Sequence, residues 1–172
     1  MNGGWINGTP KPSDWEQWVV ENAPRLLLFA RQQTRSEADA QDVVQEAVVE
    51  SWRRLPEGTP PRIALVFATI RRRSVDLARS VDRRASRESA AHLDGPVCWF
   101  DASAEDRERM QLIQNAMQSL PNIYREVVTL KIWGGLTFAE IAEALEIPQN
   151  TAASRYRYGL TTLRHFTRAV LT

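Results

Sequence analysis

The sequence predicts an all-α chain made of two small helical domains joined by a flexible acidic linker. Three observations carry this. Apolar residues recur at helical spacing, and no run alternates with the period of two that marks a half-buried strand. Capping residues and prolines divide the chain into segments of helix length. The periodicity lapses between about residues 86 and 108, where Gly95 and Pro96 precede the acids Asp101, Glu105, Asp106 and Glu108. The expected units are a flexible arm over residues 1–13, a helical domain over 14–88, a linker over 89–105 and a second helical domain over 106–172.

Each helix has its own signals. Ser13 and Glu16 have capping-box spacing ahead of Trp15, Trp18 and Val19, and the helix continues or restarts at Pro24 with Leu26, Leu27, Phe29 and Ala30. Ser36 opens a second helix, in which Val43, Val44, Ala47, Val48, Trp52 and Leu55 fall at helical spacing. After a loop over residues 56–61, Pro60 and Pro61 start a long helix with Ile63, Val66, Phe67, Ile70, Leu77 and Val81 on its apolar side. Beyond the linker, Ser103 and Asp106 are candidate caps for a helix striped by Met110, Ile113, Met117 and Leu120. Pro121 stops that helix and starts the next, which carries Ile123, Val127 and Leu130 inward and closes on Gly134 and Gly135 as a left-handed C-terminus. Thr137 and Glu140 form a capping box before Phe138, Ile141, Ala142 and Leu145, and a last helix follows the turn over residues 147–150, with Ala152, Tyr156, Leu160, Leu163 and Phe166 on one side.

Composition narrows the function classes. The chain has 172 residues, 25% of them charged, with ordinary globular proportions. Its longest apolar stretches, Leu26 to Ala30 and Ile63 to Ile70, fall well short of the ~20 residues a membrane-spanning helix needs. The first residues have neither the basic nor the apolar region of a secretory signal, so no membrane insertion and a cytoplasmic location are expected. The single cysteine, Cys98, precludes an internal disulfide and reads as a small buried hydrophobe beside Trp99 and Phe100. Only two histidines occur, His92 and His165, neither at catalytic spacing from a nucleophile or carboxylate, and there is no glycine-rich phosphate loop. No catalytic residue, metal site or cofactor is expected. Of the tryptophans at 5, 15, 18, 52, 99 and 133, most read as core or partner-facing, and Trp5 stands in a polar arm that has no core to enter.

A formal net charge of +1 argues against nucleic acid only if charge is spread evenly, and it is not. Residues 36–51 carry Glu37, Asp39, Asp42, Glu46 and Glu50 with no basic residue, a local sum of −5. Asp39, Asp42, Glu46 and Glu50 share one helical face, and no neighbouring lysine or arginine relieves their repulsion, which leaves a basic partner surface and a plain solvated face as equal readings. Residues 71–87 hold seven arginines against Asp76 and Asp82, a sum of +5, and residues 150–172 hold four arginines and no acid. Two basic helices in different domains indicate a polyanion. The second domain contains a helix-turn-helix: a capped short helix over 136–145, a tight turn, and a helix whose first turns present Asn150, Thr151, Ser154 and Arg155 to base edges or phosphates, with Arg157 on the backbone. These features alone leave open a duplex-binding regulator and a helical adaptor that never touches DNA.

Four ordered segments carry a resemblance. Ala38-Asp39-Ala40-Gln41-Asp42-Val43-Val44-Gln45-Glu46 resembles the Asp-Ala-Glu-Asp-Leu-Val-Gln-Glu signature of bacterial RNA polymerase sigma factors of the extracytoplasmic-function (ECF) group. Residues 24–31 look like that family's preceding helix, residues 70–79 resemble its promoter-melting helix, and residues 120–164 resemble its second conserved domain. The resemblance implies that Asp39, Asp42, Gln45, Glu46 and Trp52 dock on the clamp helices of the largest subunit of core RNA polymerase, with a second contact to its flap. It implies that Arg71, Arg72, Arg79 and Arg83 grip the minus-ten element of promoter DNA, while the loop over residues 55–61, with Glu57, Gly58 and Thr59, captures an unstacked base. Asn150, Thr151, Ala153, Ser154, Arg155 and Arg157 would meet the minus-thirty-five element as duplex. An anti-sigma factor is a further partner implied by the family.

Three residues depart from the family pattern. Arg72 stands where the family usually has an asparagine of the minus-ten reading surface, and arginine there favours phosphate or a guanine edge. Ala153 replaces a frequent lysine and loses one phosphate contact. Gly159 replaces a frequent alanine, at a cost of roughly 1 kcal/mol in helix propensity.

Overall fold

The computed structural model describes residues 5–6, 9–10, 14–56, 59–85, 97–101, 103 and 106–170. Among these residues there are seven helices: α1 Asp14–Gln33, α2 Glu37–Arg53, α3 Ile63–Ala85, α4 Arg107–Gln118, α5 Asn122–Ile132, α6 Phe138–Leu145 and α7 Gln149–Val170. The arm departs from the expectation of no strand. β1 Trp5–Ile6 pairs antiparallel with β2 Thr9–Pro10 in the register Trp5↔Pro10 and Ile6↔Thr9. Asn7-Gly8, a dipeptide that favours tight hairpins, stands between them in sequence.

Local signals place most boundaries. The Ser36 hydroxyl accepts from the Asp39 amide at 3.1 Å and caps α2. Thr137 and Glu140 make both bonds of a capping box at the start of α6. Of the two readings of Pro24, α1 continues through it, because Leu26, Phe29 and Ala30 continue the buried face and outweigh the lost amide. The carbonyl that Pro24 cannot bond belongs to Val20, whose side chain is 75% exposed, on the side open to water. Asp106 precedes α4 without a side-chain cap bond; its carboxylate accepts from the Ser103 hydroxyl instead. Only Gly135 adopts the left-handed conformation after α5, with φ of 67°, whereas Gly134 is needed because a Cβ there would lie 2.5 Å from the Leu130 carbonyl oxygen. The chain reverses after α6 at Glu146, in a left-handed conformation with φ of 55°, and α7 begins two residues earlier than expected.

The two helical units pack on one another. One apolar cluster runs from Leu26, Phe29, Val43, Phe67 and Ile70 in α1–α3 to Val127, Leu130, Ile141 and Leu145 in α5 and α6. Helix α3 lies against α6, and α1 touches α5. Polar bonds cross the same seam: Thr129 donates to the Gln32 side-chain oxygen at 2.7 Å, the Arg25 guanidinium donates to the Gly134 carbonyl, and Arg62 pairs with Glu143.

Part of the expected linker belongs to this seam. Trp99 is 6% exposed and packs with Leu28, Met117, Leu120 and Val128, while Cys98, expected to be buried, is exposed. The bulkier indole displaces more water, and its backbone is held by Gln114, which accepts from the Trp99 amide and donates to the Val97 carbonyl, both at 3.0 Å. The Trp99 carbonyl and the Asp101 carboxylate both accept from buried Arg31, which also makes a two-point pair with Glu37. Hydrogen bonding to Glu37 outweighs burial and raises the basicity of Arg31, and the same contact holds the Glu37 carboxyl below its ordinary value. Residues 86–96, 102 and 104–105, the rest of the linker region, lie outside the described residues.

Gly159 takes on a meaning that helix propensity does not give it. Helices α5 and α7 approach so closely there that a Cβ would sit 2.7 Å from Val128 Cγ2. Val128 is fully buried and β-branched, so it has little room to turn away. Gly159→Ala is expected to lower the thermal midpoint, because overpacking of about 1–3 kcal/mol exceeds a propensity gain of about 1 kcal/mol. In a Val128→Ala background the sign should reverse, and thermal unfolding of the four proteins checks it.

Candidate protein-docking and nucleic-acid interfaces

Three faces collect the predicted site residues. On α2, Asp42, Gln45, Glu46 and Trp52 are exposed and Asp39 is half-buried in the first turn. Asp39 and Asp42 form no ion pair among the described residues. The acid of the first turn faces the partial positive charge of the helix start, so this end of α2 tolerates its negative charge. Trp52 is 56% exposed, with its ring stacked on Trp15, which in turn stacks on Trp18. The aromatic stack stiffens a large apolar surface next to the acids.

The other end of α2 is not the unrelieved acidic stripe that the sequence suggests. Arg73 on α3 donates to Glu46 at 2.7 Å and to Glu50 at 2.8 and 3.1 Å, while Arg72 and Arg54 also reach Glu50. Arg54 is four residues from Glu50 at the end of α2, but Arg72 and Arg73 come from a helix more than twenty residues away, beyond the reach of helical-face counting. Burial disfavours the charged Glu50, but the Arg73 bonds and the charges of Arg72, Arg54 and Arg73 prevail and hold its carboxyl below the ordinary value.

The arginines of α3 therefore divide into two groups. Arg79, Arg83 and Arg84 are exposed and make no ion pair among the described residues. Arg72 is exposed but tied at one point to Glu50. Arg71 turns away from the others: its Nε donates at 2.9 Å to Glu126 of α5, a carboxylate whose side chain is 3% exposed. Thr59 is exposed, while Glu57 and Gly58 lie outside the described residues.

On α7, Asn150 and Arg157 are exposed and Thr151, Ala153, Ser154 and Arg155 are half-buried. Ala152 is fully buried where α7 crosses α6, and the small side chain permits the close crossing. Phe138 meets Tyr156 edge-on at 5.6 Å and so fixes the turn of α7 relative to α6. The first turn of α7 contains no acid, which suits its amide dipoles to phosphate. No group of three or more metal-ligating side chains occurs among the described residues, and none of their helices is long and apolar enough to cross a membrane.

Sequence reasoning missed the Glu46–Glu50–arginine network, the Arg71–Glu126 pair and the Trp99 anchor. The last had a local signal, since the motif Trp99-Phe100 is apolar within a polar stretch, and so did the Glu50–Arg54 pair at i,i+4 spacing; the contacts from α3 had none.

The geometry has parallels in known proteins. Residues 18–84 match the family model for sigma-70 region 2, and residues 110–163 match that for sigma-70 region 4. The chain is 31% identical over 136 residues to the ECF RNA polymerase sigma factor SigK of Mycobacterium ulcerans, covering 73% of this chain and 71% of that protein. It is 28% identical over 147 residues to the ECF RNA polymerase sigma factor SigL of Mycobacterium tuberculosis, covering 84% and 83%. Among solved structures its fold is similar to the sigma factor RpoE of Bartonella quintana, crystallised with the anti-sigma factor NepR, with a TM-score of 0.72 at 18% identity and coverage of 91% and 98%. It is also similar to CnrH in complex with the cytosolic domain of CnrY, with a TM-score of 0.64 at 22% identity and coverage of 90% and 88%. With sigma-70 region 2 followed by region 4 over most of its length, the chain belongs to the ECF RNA polymerase sigma factors, which bind core polymerase and recognise promoter DNA.

Proposed function

We propose that the exposed faces divide the work of initiation. Asp39, Asp42, Gln45, Glu46 and Trp52 dock on the polymerase clamp helices. Arg71, Arg72, Arg79 and Arg83 hold the minus-ten element while the loop carrying Glu57, Gly58 and Thr59 receives an unstacked base. Asn150, Thr151, Ala153, Ser154, Arg155 and Arg157 meet the minus-thirty-five duplex, and the second domain also touches the flap. Polymerase supplies the chemistry in the cytoplasm, and this chain contributes binding and melting only. The domain limits that fit this division are 14–88 and 106–172. An anti-sigma factor covering the same faces is the expected inhibitor, as NepR and CnrY accompany the similar proteins.

One observation carries the reading: Asp39 and Asp42, without ion pairs among the described residues, stand apart from Arg79 and Arg83, likewise without ion pairs among them, and from the acid-free start of α7. The test is reconstitution of purified protein with core polymerase, followed by mapped transcription starts on genomic DNA. A defined start that depends on this chain supports the proposal; specific duplex binding without polymerase and no start would overturn it. In the reconstituted holoenzyme Arg157→Ala is expected to weaken promoter binding about equally for all minus-thirty-five variants and to lower the salt slope by about one, as for loss of one phosphate contact. Asn150→Ala should instead change which variants are preferred.

A further inference from the structure

Glu50 lies on the acidic face of α2, yet its carboxylate is used inside the molecule. The side chain is 15% exposed, and both oxygens accept from arginines: Oε1 from Arg54 at 2.6 Å and Arg72 at 2.8 Å, Oε2 from Arg73 at 2.8 and 3.1 Å. The three arginines are not equivalent. Arg73 is held at Nε and both terminal nitrogens by Glu50 and Glu46 together, and its side chain is 37% exposed. It acts as a brace between α2 and α3. Arg72 is 54% exposed and bound through Nη2 alone.

That difference has a chemical consequence. A guanidinium has two two-donor edges that share Nη2, and a single bond to Nη2 consumes one of its hydrogens. One edge of Arg72 therefore remains whole, and a whole edge is what a bidentate contact to guanine O6 and N7 or to a phosphate requires. Tethering also removes part of the rotamer freedom a long side chain would lose on binding. Glu50 further lowers the local positive charge, and with it the indiscriminate attraction to phosphate.

We infer that Glu50 is a positioning residue for promoter selectivity, holding Arg72 by one nitrogen so that its free edge meets the minus-ten element in a fixed orientation. The inference rests on the proposed assignment of the exposed α3 face to that element. It goes beyond that assignment by naming the residue that makes an arginine at this position selective.

The experiment uses holoenzyme reconstituted with wild-type protein, Glu50→Gln, Arg72→Ala and the double variant, bound to a pool of promoter duplexes randomised in the minus-ten segment and read by sequencing. The preference of Glu50→Gln for the best sequences over the median is expected to fall about tenfold, within the discrimination a bidentate arginine gives. Affinity for unrelated DNA should rise, with a steeper salt dependence. Arg72→Ala should lose the same preference, and adding Glu50→Gln to it should lose no more. Glu50→Asp keeps the charge on a shorter arm and should retain part of the preference; it carries the same comparison if Glu50→Gln melts too low to assay. Wild-type selectivity in the Glu50 variants, with selectivity lost in Arg72→Ala, would overturn the inference. So would a further loss when Glu50→Gln is added to Arg72→Ala. Unchanged selectivity in Arg72→Ala would instead sink the minus-ten assignment of α3, and the inference with it.

Discussion

Asp42→Lys is expected to weaken binding to core RNA polymerase by roughly 30-fold or more, about 2 kcal/mol, with the fold intact. The argument rests on exposure and on the absence of an internal partner. Asp42 is exposed on α2 and forms no ion pair among the described residues, so replacing it breaks no ion pair among them. A basic partner surface, by contrast, meets a like charge where it expects an opposite one. Glu46→Lys makes a revealing comparison. Glu46 already pairs with Arg73 at 2.7 Å, with side chains 58% and 37% exposed, so its reversal also sets a lysine against an arginine of the chain itself. An exposed pair of this kind contributes up to about 1 kcal/mol, and the variant should lose some stability as well as affinity. Titration of labelled protein with core polymerase at several salt concentrations, beside thermal unfolding, separates the two effects. The Asp42 penalty should shrink as salt rises. Wild-type affinity for Asp42→Lys would remove the acidic helix from the polymerase interface.

What the sequence makes legible and what it does not follows from range. The Ser36 cap and the Thr137–Glu140 box depend on residues three apart, and both can be read from the letters. Pro24 has an equally local signal that leaves continuation and restart open; the helix continues because Leu26 and Phe29 are buried against α3, which no local rule registers. The acidic stripe is legible as a stripe, and so is its exposure at Asp42. Its neutralisation at Glu46 and Glu50 is not, since Arg72 and Arg73 arrive from another helix. Gly159 is the clearest reversal. Read alone it is a weak point in a helix; beside Val128 it is the residue that lets α5 and α7 touch.

The pairing of the two helical units yields the second large effect, and its size depends on which partner is removed. Glu126 is 3% exposed at its side chain, whereas Arg71 is 38% exposed. Removing Arg71 leaves a carboxylate sealed between α3 and α5 with its cation gone. Removing Glu126 leaves a guanidinium that can swing toward water. Arg71→Met should therefore destabilise by ~3 kcal/mol, the range for breaking a buried pair from the exposed side. Glu126→Gln should cost less, because a neutral amide can still accept from Arg71. The double variant Arg71→Met/Glu126→Gln should recover part of the loss, since the uncompensated charge is gone. Urea unfolding of the four proteins tests the order. The same pair also bears on promoter opening. Arg71 holds Glu126 through Nε and is 38% exposed, so one guanidinium serves the seam between the two units while its outer edge faces solvent. Arg71→Met should then lower stability of the free chain more than it lowers DNA affinity of the holoenzyme. For Arg79→Ala, with no ion pair among the described residues to lose, the order should be the opposite. If Arg71→Met weakens DNA binding as much as Arg79→Ala while leaving unfolding untouched, the arginine serves the promoter alone and the seam does not depend on it.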